Sequence, residues 1–340
     1  MIIDLVYLFV ADLTHIRTAN VVIRFLSLFS LGGLYGIVVS FALSKAINNW
    51  HWKQSLTVIF GSALAQSVPW VVRQYFTVDF ITIYALFAGL STTVAIKWAR
   101  PATRPINLIT IFASWMLAWK AGGLLGIHLQ AVFNNQYIAT IGDPFAVLLG
   151  LLFTFGFQLK KPWEVLKTAL FGALGFAVGN TIVDIINTPL HLPAEISFAL
   201  WGLIGGAILE APSRDSRRIL FTAAMCGIGL FVGAYVAFDV LPAIGVQYAN
   251  SEFSVKNITL YQPFLGLGLG LALGLLIRRM SAIGVLALLG AGMYLITRAL
   301  NVEFFNFSSL WESSIRGMLI GLVLGYGYGY MRRAKSLVEV

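Results

Sequence analysis

Residues 263–279 read Pro-Phe-Leu-Gly-Leu-Gly-Leu-Gly-Leu-Ala-Leu-Gly-Leu-Leu-Ile-Arg-Arg, an apolar run opened by a proline and closed by two arginines. A segment hydrophobic around its whole circumference has no face for water and must lie inside a protein or a bilayer. Gly266, Gly270 and Gly274 recur every four residues and so fall on one side of a helix. Small residues there let another helix backbone approach, which is how helices associate in lipid, where burying apolar surface gives little driving force. The closing arginines mark the end that stays on the cytoplasmic side.

Runs of this kind fill the chain. A span needs about 20 mostly apolar residues, and the pattern predicts spans near 25–44, 55–73, 80–98, 105–127, 144–160, 165–187, 196–210, 218–238, 263–278, 281–299 and 313–331. Only 11% of the 340 residues are charged and the mean hydropathy is +0.84. Soluble domains carry about 25% charged residues, so a soluble fold is excluded. The predicted fold class is all-α: a polytopic integral membrane protein with about 11 transmembrane helices, arranged as glycine-rich helical hairpin repeats plus a closing helix. Residues 1–20 are interrupted by Asp4, Asp12, His15 and Arg17. They are predicted to form an interfacial helix, with 21–340 as a single transmembrane domain of five hairpins and a last helix over 313–331.

The formal charge of +9 does not imply nucleic acid, because the basic residues fall in short clusters between apolar runs. Sixteen of them, from Lys45 and Lys53 through Arg217, Arg218, Arg278 and Arg279 to Arg332, Arg333 and Lys335, fall in alternate connections. Six fall on the opposite side. That bias predicts a C-terminus in the cytoplasm and an N-terminus outside, in a plasma or inner membrane. The basic inner loops are expected to meet anionic lipid head groups.

Repetition reinforces the hairpin reading. The doublets Lys160-Lys161, Arg217-Arg218, Arg278-Arg279 and Arg332-Arg333 are separated by 57, 61 and 54 residues. Each follows an inward-running helix, so the repeats would be parallel, not inverted. Four-residue spacing of glycine extends over three turns in Gly317, Gly321, Gly325 and Gly329. Such a stripe packs helices within the chain or docks a partner subunit or second copy, and the last helix is the best-placed candidate for docking.

Phosphate-loop, zincin and paired-cysteine signatures are absent, and the single Cys226 sits inside an apolar run. The four histidines fall in loops or at span ends, so neither a metal nor a cofactor is expected. Charges inside spans are costly and are functional by default. Lys120 is the only basic residue far from a span end, and Asn180 shares its predicted depth. Asp184 lies one turn further out on the face of Asn180. Lys120, Asn180 and Asp184 are therefore the candidate substrate-binding residues. Glu312 and Arg316, spaced four apart, are expected to form a solvated ion pair at the outer surface. Three functions fit: a carrier or channel for a small anion or polar solute, a non-catalytic scaffold or accessory subunit, and an intramembrane lipid-modifying enzyme. No acid–base or nucleophile cluster marks the last, and a catalytic role is not expected.

Overall fold

The computed structural model describes residues 21–47, 50–75, 80–101, 103, 105–133, 141–157, 162–244, 255–304 and 309–338. The interfacial helix expected over 1–20 and the Lys160-Lys161 doublet lie outside the described residues.

Every long apolar run of the sequence is helical. Among the described residues eleven helices have sixteen residues or more, and no strand is present. They are α1 (Val21–Ala46), α2 (Trp52–Tyr75), α3 (Phe80–Ala99), α4 (Pro105–Phe133), α5 (Gly142–Phe157), α6 (Pro162–Leu190), α7 (Ala194–Glu210), α8 (Ser216–Tyr235), α9 (Val255–Ile277), α10 (Met280–Phe304) and α11 (Ser309–Val338). In α8 the chain continues through a π-helical turn, Val236–Val240. Eight helices, α1 to α4, α6 to α8 and α10, are long and apolar enough to cross a membrane. Two shorter apolar stretches, Gly142–Gly156 and Gln262–Ile277, belong to α5 and α9. The protein is thus an integral membrane protein with several membrane-spanning helices. Large side chains such as Phe41, Leu117, Leu220 and Leu288 are more than half exposed, a surface that only lipid tolerates at this density. α11 falls short of the apolarity of the others, and from Val323 to Gly329 every residue is buried. A helix enclosed by protein does not need the lipid-facing leucines that raise hydropathy.

The chain divides into two compact units, Met1–Gln158 and Leu159–Val340. In the first, α1 to α5 pack in chain order, each on the next, and α5 also touches α1. Leu43, Val58, Ile96, Ile111 and Trp115 are fully buried at its core. Trp119 stands edge-on to Tyr84, with ring centroids 4.7 Å apart, and the Tyr35 hydroxyl donates to Asp143 Oδ2 at 3.2 Å.

The second unit is a closed ring. Each of α6 to α11 packs on its successor, and α11 returns to pack on α6. Glycines set the spacing of these contacts. A methyl group at Gly321 would strike the backbone of Gly172, and one at Gly317 the carbonyl of Phe176. The same backbone-to-backbone approach occurs at Gly202 against Cys226, Gly229 against Gly268, and Gly266 against Gly290. Gly270 and Gly274 face Leu286 and Ile283 in the same way, while Gly325 and Gly329 face Thr168 and Ala169. Paired numbers fall on one helix as they rise on the other, so these neighbours are antiparallel. The four-residue stripe of α11 therefore lies against α6 of the same chain.

Candidate functional site

Among the described residues the second unit has a cavity near each end. The larger, about 500 Å³, lies at the end where α6 finishes and α11 begins. Asn180, Asp184 and Asn187 line it from α6, and Ala194, Ser197, Phe198 and Trp201 from α7. Both sets follow the i, i+3, i+4, i+7 spacing that puts residues on one helical face. Gln262 and Leu265 of α9, Phe238 of the π turn and Arg316 of α11 complete the wall. π turns inside α-helices often mark functional sites, because the extra residue re-aims a side chain. Here the turn places Phe238 stacked on Phe198, with ring centroids 6.0 Å apart and planes at 21°.

The floor is aromatic and dry. Trp201, 2% exposed, donates from Nε1 to the Phe176 carbonyl at 2.8 Å and stands edge-on to Phe176. Tyr294 of α10 packs against the Trp201 ring, and its hydroxyl is buried without a partner among the described residues.

The polar residues of the wall divide into two groups. Asn180 is buried and tied down: its Nδ2 donates to the Ser313 carbonyl at 2.7 Å, joining α6 to α11. One residue on, Thr181 Oγ1 and Ser314 Oγ share a hydrogen at 2.6 Å. Asn187 Oδ1 accepts a long bond of 3.4 Å from Ser197 Oγ. The second group has unmet capacity. Gln262 is 5% exposed, and its Oε1 has no donor among the described residues. Arg316 Nη2 donates to Ser313 Oγ at 3.4 Å, and among the described residues its buried Nε has no acceptor. No described side chain donates to the Asp184 carboxylate, and Asp184 and Arg316 do not pair with each other. An unsatisfied buried polar atom costs about 1–3 kcal/mol, and more when charged. Two such atoms, on Gln262 and Arg316, belong to residues that line the cavity, and the half-buried Asp184 adds a carboxylate to the same wall.

At the opposite end of the ring lies a cavity of about 210 Å³ between α6, α7 and α11. Glu210, 3% exposed, accepts from Arg332 Nη1 at 2.7 Å and 3.0 Å and from the Tyr328 hydroxyl at 3.2 Å. Arg333 Nη2 meets Glu164 Oε2 at 3.2 Å. Here the charges are paired, and they bind the end of α11 to α6 and α7. From Thr168, beside this cavity, to Asn180, beside the other, is twelve residues of α6, about 18 Å of helix. Buried Phe176, Trp201, Cys226, Leu230, Leu269 and Leu324 belong to the core of this unit.

The three residues singled out from the sequence are distributed over both units. Asn180 and Asp184 line the larger cavity together. Lys120 belongs to the first unit, where its Nζ donates to Thr82 Oγ1 at 2.9 Å. The structure also gives Arg316 a different use from the surface pairing expected with Glu312, since it lines the cavity. Gln262, Ser197 and Trp201 escaped the sequence reading. Gln262 stands directly before Pro263, where it reads as the edge of a loop; the fold continues α9 through it. A signal existed in α7, where Ser197 and Trp201 share a face at a spacing of four. Among the described residues no group of three or more His, Cys, Asp or Glu is placed to hold a metal ion. Comparison with protein-family models, curated proteins and solved structures finds no match for this chain.

Proposed function

We propose that this protein is a carrier or channel for a small polar solute, and that the solute site is the larger cavity of the second unit. The observation that carries the reading is the two opposite charges on its wall: Asp184 and Arg316 line one space bounded by aromatic rings and do not pair with each other. Cavities of about 300–1,000 Å³ with mostly apolar walls and a few convergent polar groups are the usual form of small-molecule sites. Charges within spans mark solute pathways by default. Asn180, held by Ser313, sets the spacing of α6 and α11 and supports Asp184 one turn away.

Eleven spans, with hairpins repeated through the chain and the basic doublets on the cytoplasmic side, make a consistent topology for such a carrier. The larger cavity then opens toward the outside, and the Glu210–Arg332 and Glu164–Arg333 pairs close the cytoplasmic end. The basic inner connections meet anionic lipid head groups. A scaffold docking through the last helix is the second reading. It is less well supported, because Gly317, Gly321 and Gly325 lie against α6 of the same chain.

Cys226 is the only cysteine and is fully buried, so a Cys226→Ala background is free of thiols. In intact cells, Asn187→Cys and Gln262→Cys in that background are expected to react with a membrane-impermeant thiol reagent, and Phe176→Cys is expected to resist it. Resistance at both cavity positions would remove the site.

A further inference from the structure

The second unit's larger cavity specifies a ligand by the charges it leaves unmet. Among the described residues, Asp184 offers a carboxylate to which no side chain donates, and Arg316 a guanidinium that pairs with no carboxylate. Gln262, 95% buried, lines the same space. Their formal charges cancel, yet they do not pair with each other. An anion alone would neutralise Arg316 and repel Asp184, and a cation alone would do the reverse. Water satisfies hydrogen bonds but neutralises neither charge. An occupant with both charges in one molecule answers every unmet group.

We infer that the site takes a zwitterion: a molecule with a primary ammonium, which donates to Asp184, and an acidic oxygen group, which accepts from Arg316. Its apolar body lies against Phe198 and Trp201. This inference rests on the proposed reading of the cavity as a solute site. Amino acids carry this chemistry, and so does the ethanolamine phosphate head group of a phospholipid.

The test uses the full chain purified in maltoside micelles, with calorimetric titration of leucine and its two single-charge analogues, 3-methylbutylamine and 4-methylpentanoate. Leucine is expected to bind about tenfold or more tightly than either, since a hydrogen bond to a charged group is worth about that factor. In Asp184→Asn the preference over 4-methylpentanoate is expected to vanish, and in Arg316→Gln the preference over the amine. Resistance of Cys226 to thiol reagents confirms that each variant is folded. A lipid source is shown if leucine does not bind but phosphatidylethanolamine nanodiscs raise the thermal stability of the protein over phosphatidylglycerol nanodiscs, with the gain lost in Asp184→Asn. Equal binding of leucine and either analogue overturns the zwitterion. So does an absence of binding in both arms when the cavity cysteines still label, an outcome that leaves the cavity reading intact. If the cavity cysteines do not label, the cavity reading itself fails.

Discussion

Replacing Arg332 with methionine is the most informative perturbation of this fold. The guanidinium gives Glu210 two of its three hydrogen bonds, at 2.7 Å and 3.0 Å, while Glu210 itself is 3% exposed. Removing one member of a buried pair leaves an uncompensated charge and costs about 3–5 kcal/mol. The Arg332 side chain is 39% exposed, so water reaches the vacated space, and the expected loss falls to about 2–3 kcal/mol. That is a shift of roughly 30- to 150-fold in the unfolding equilibrium. Glu210→Gln should cost about 1–3 kcal/mol, since one amide oxygen replaces two accepting carboxylate oxygens and the amide nitrogen faces the Arg332 donor. Arg332→Met combined with Glu210→Met should lose less than the sum of its singles, because both charges leave together, and should keep a cost of about 1–3 kcal/mol from the Tyr328 hydroxyl left without its acceptor. Reversible unfolding in mixed detergent micelles, followed by far-ultraviolet circular dichroism, measures all three. A loss below about 0.5 kcal/mol for Arg332→Met, or a double variant as unstable as the sum of its singles, would refute the buried pair as the tie between α7 and α11.

Three further outcomes follow from the packing and topology. Gly321→Ala should destabilise by about 1–3 kcal/mol, because its methyl meets the Gly172 backbone, whereas Gly284→Ala, with nothing within 4 Å, should stabilise by about 0.5–1 kcal/mol; the same unfolding assay compares them. Cys226, fully buried, should resist maleimide in the native protein and react once detergent denatures it; rapid labelling of native protein would contradict a closed ring. A reporter fused after Val340 should be active only if it is one that works in the cytoplasm, and the opposite result would reverse the proposed topology.

How much of the site was legible can be read from five residues. Lys120 draws attention as a charge deep in a span, Asn180 by sharing its depth and Asp184 by sharing Asn180's face; the last two line one cavity, while Lys120 belongs to the other unit. Arg316 carries as strong a signal, but its i, i+4 spacing to Glu312 reads as a surface pair until the ring shows which way its face points. Gln262 carries almost none, since a glutamine before a proline looks like a loop edge.

What the sequence determined alone was the material of the fold: all helices, because apolar runs of this length leave no other way to satisfy the backbone in lipid. It also marked the glycine stripes, because four-residue spacing is a property of one helix. The pairing of those stripes is not local. That Gly321 meets Gly172, or that Arg332 reaches back across the chain to Glu210, depends on α11 closing onto α6. Periodicity names the face a residue occupies; only the closed ring decides what that face meets, and with it the cavity that Asp184 and Arg316 both line.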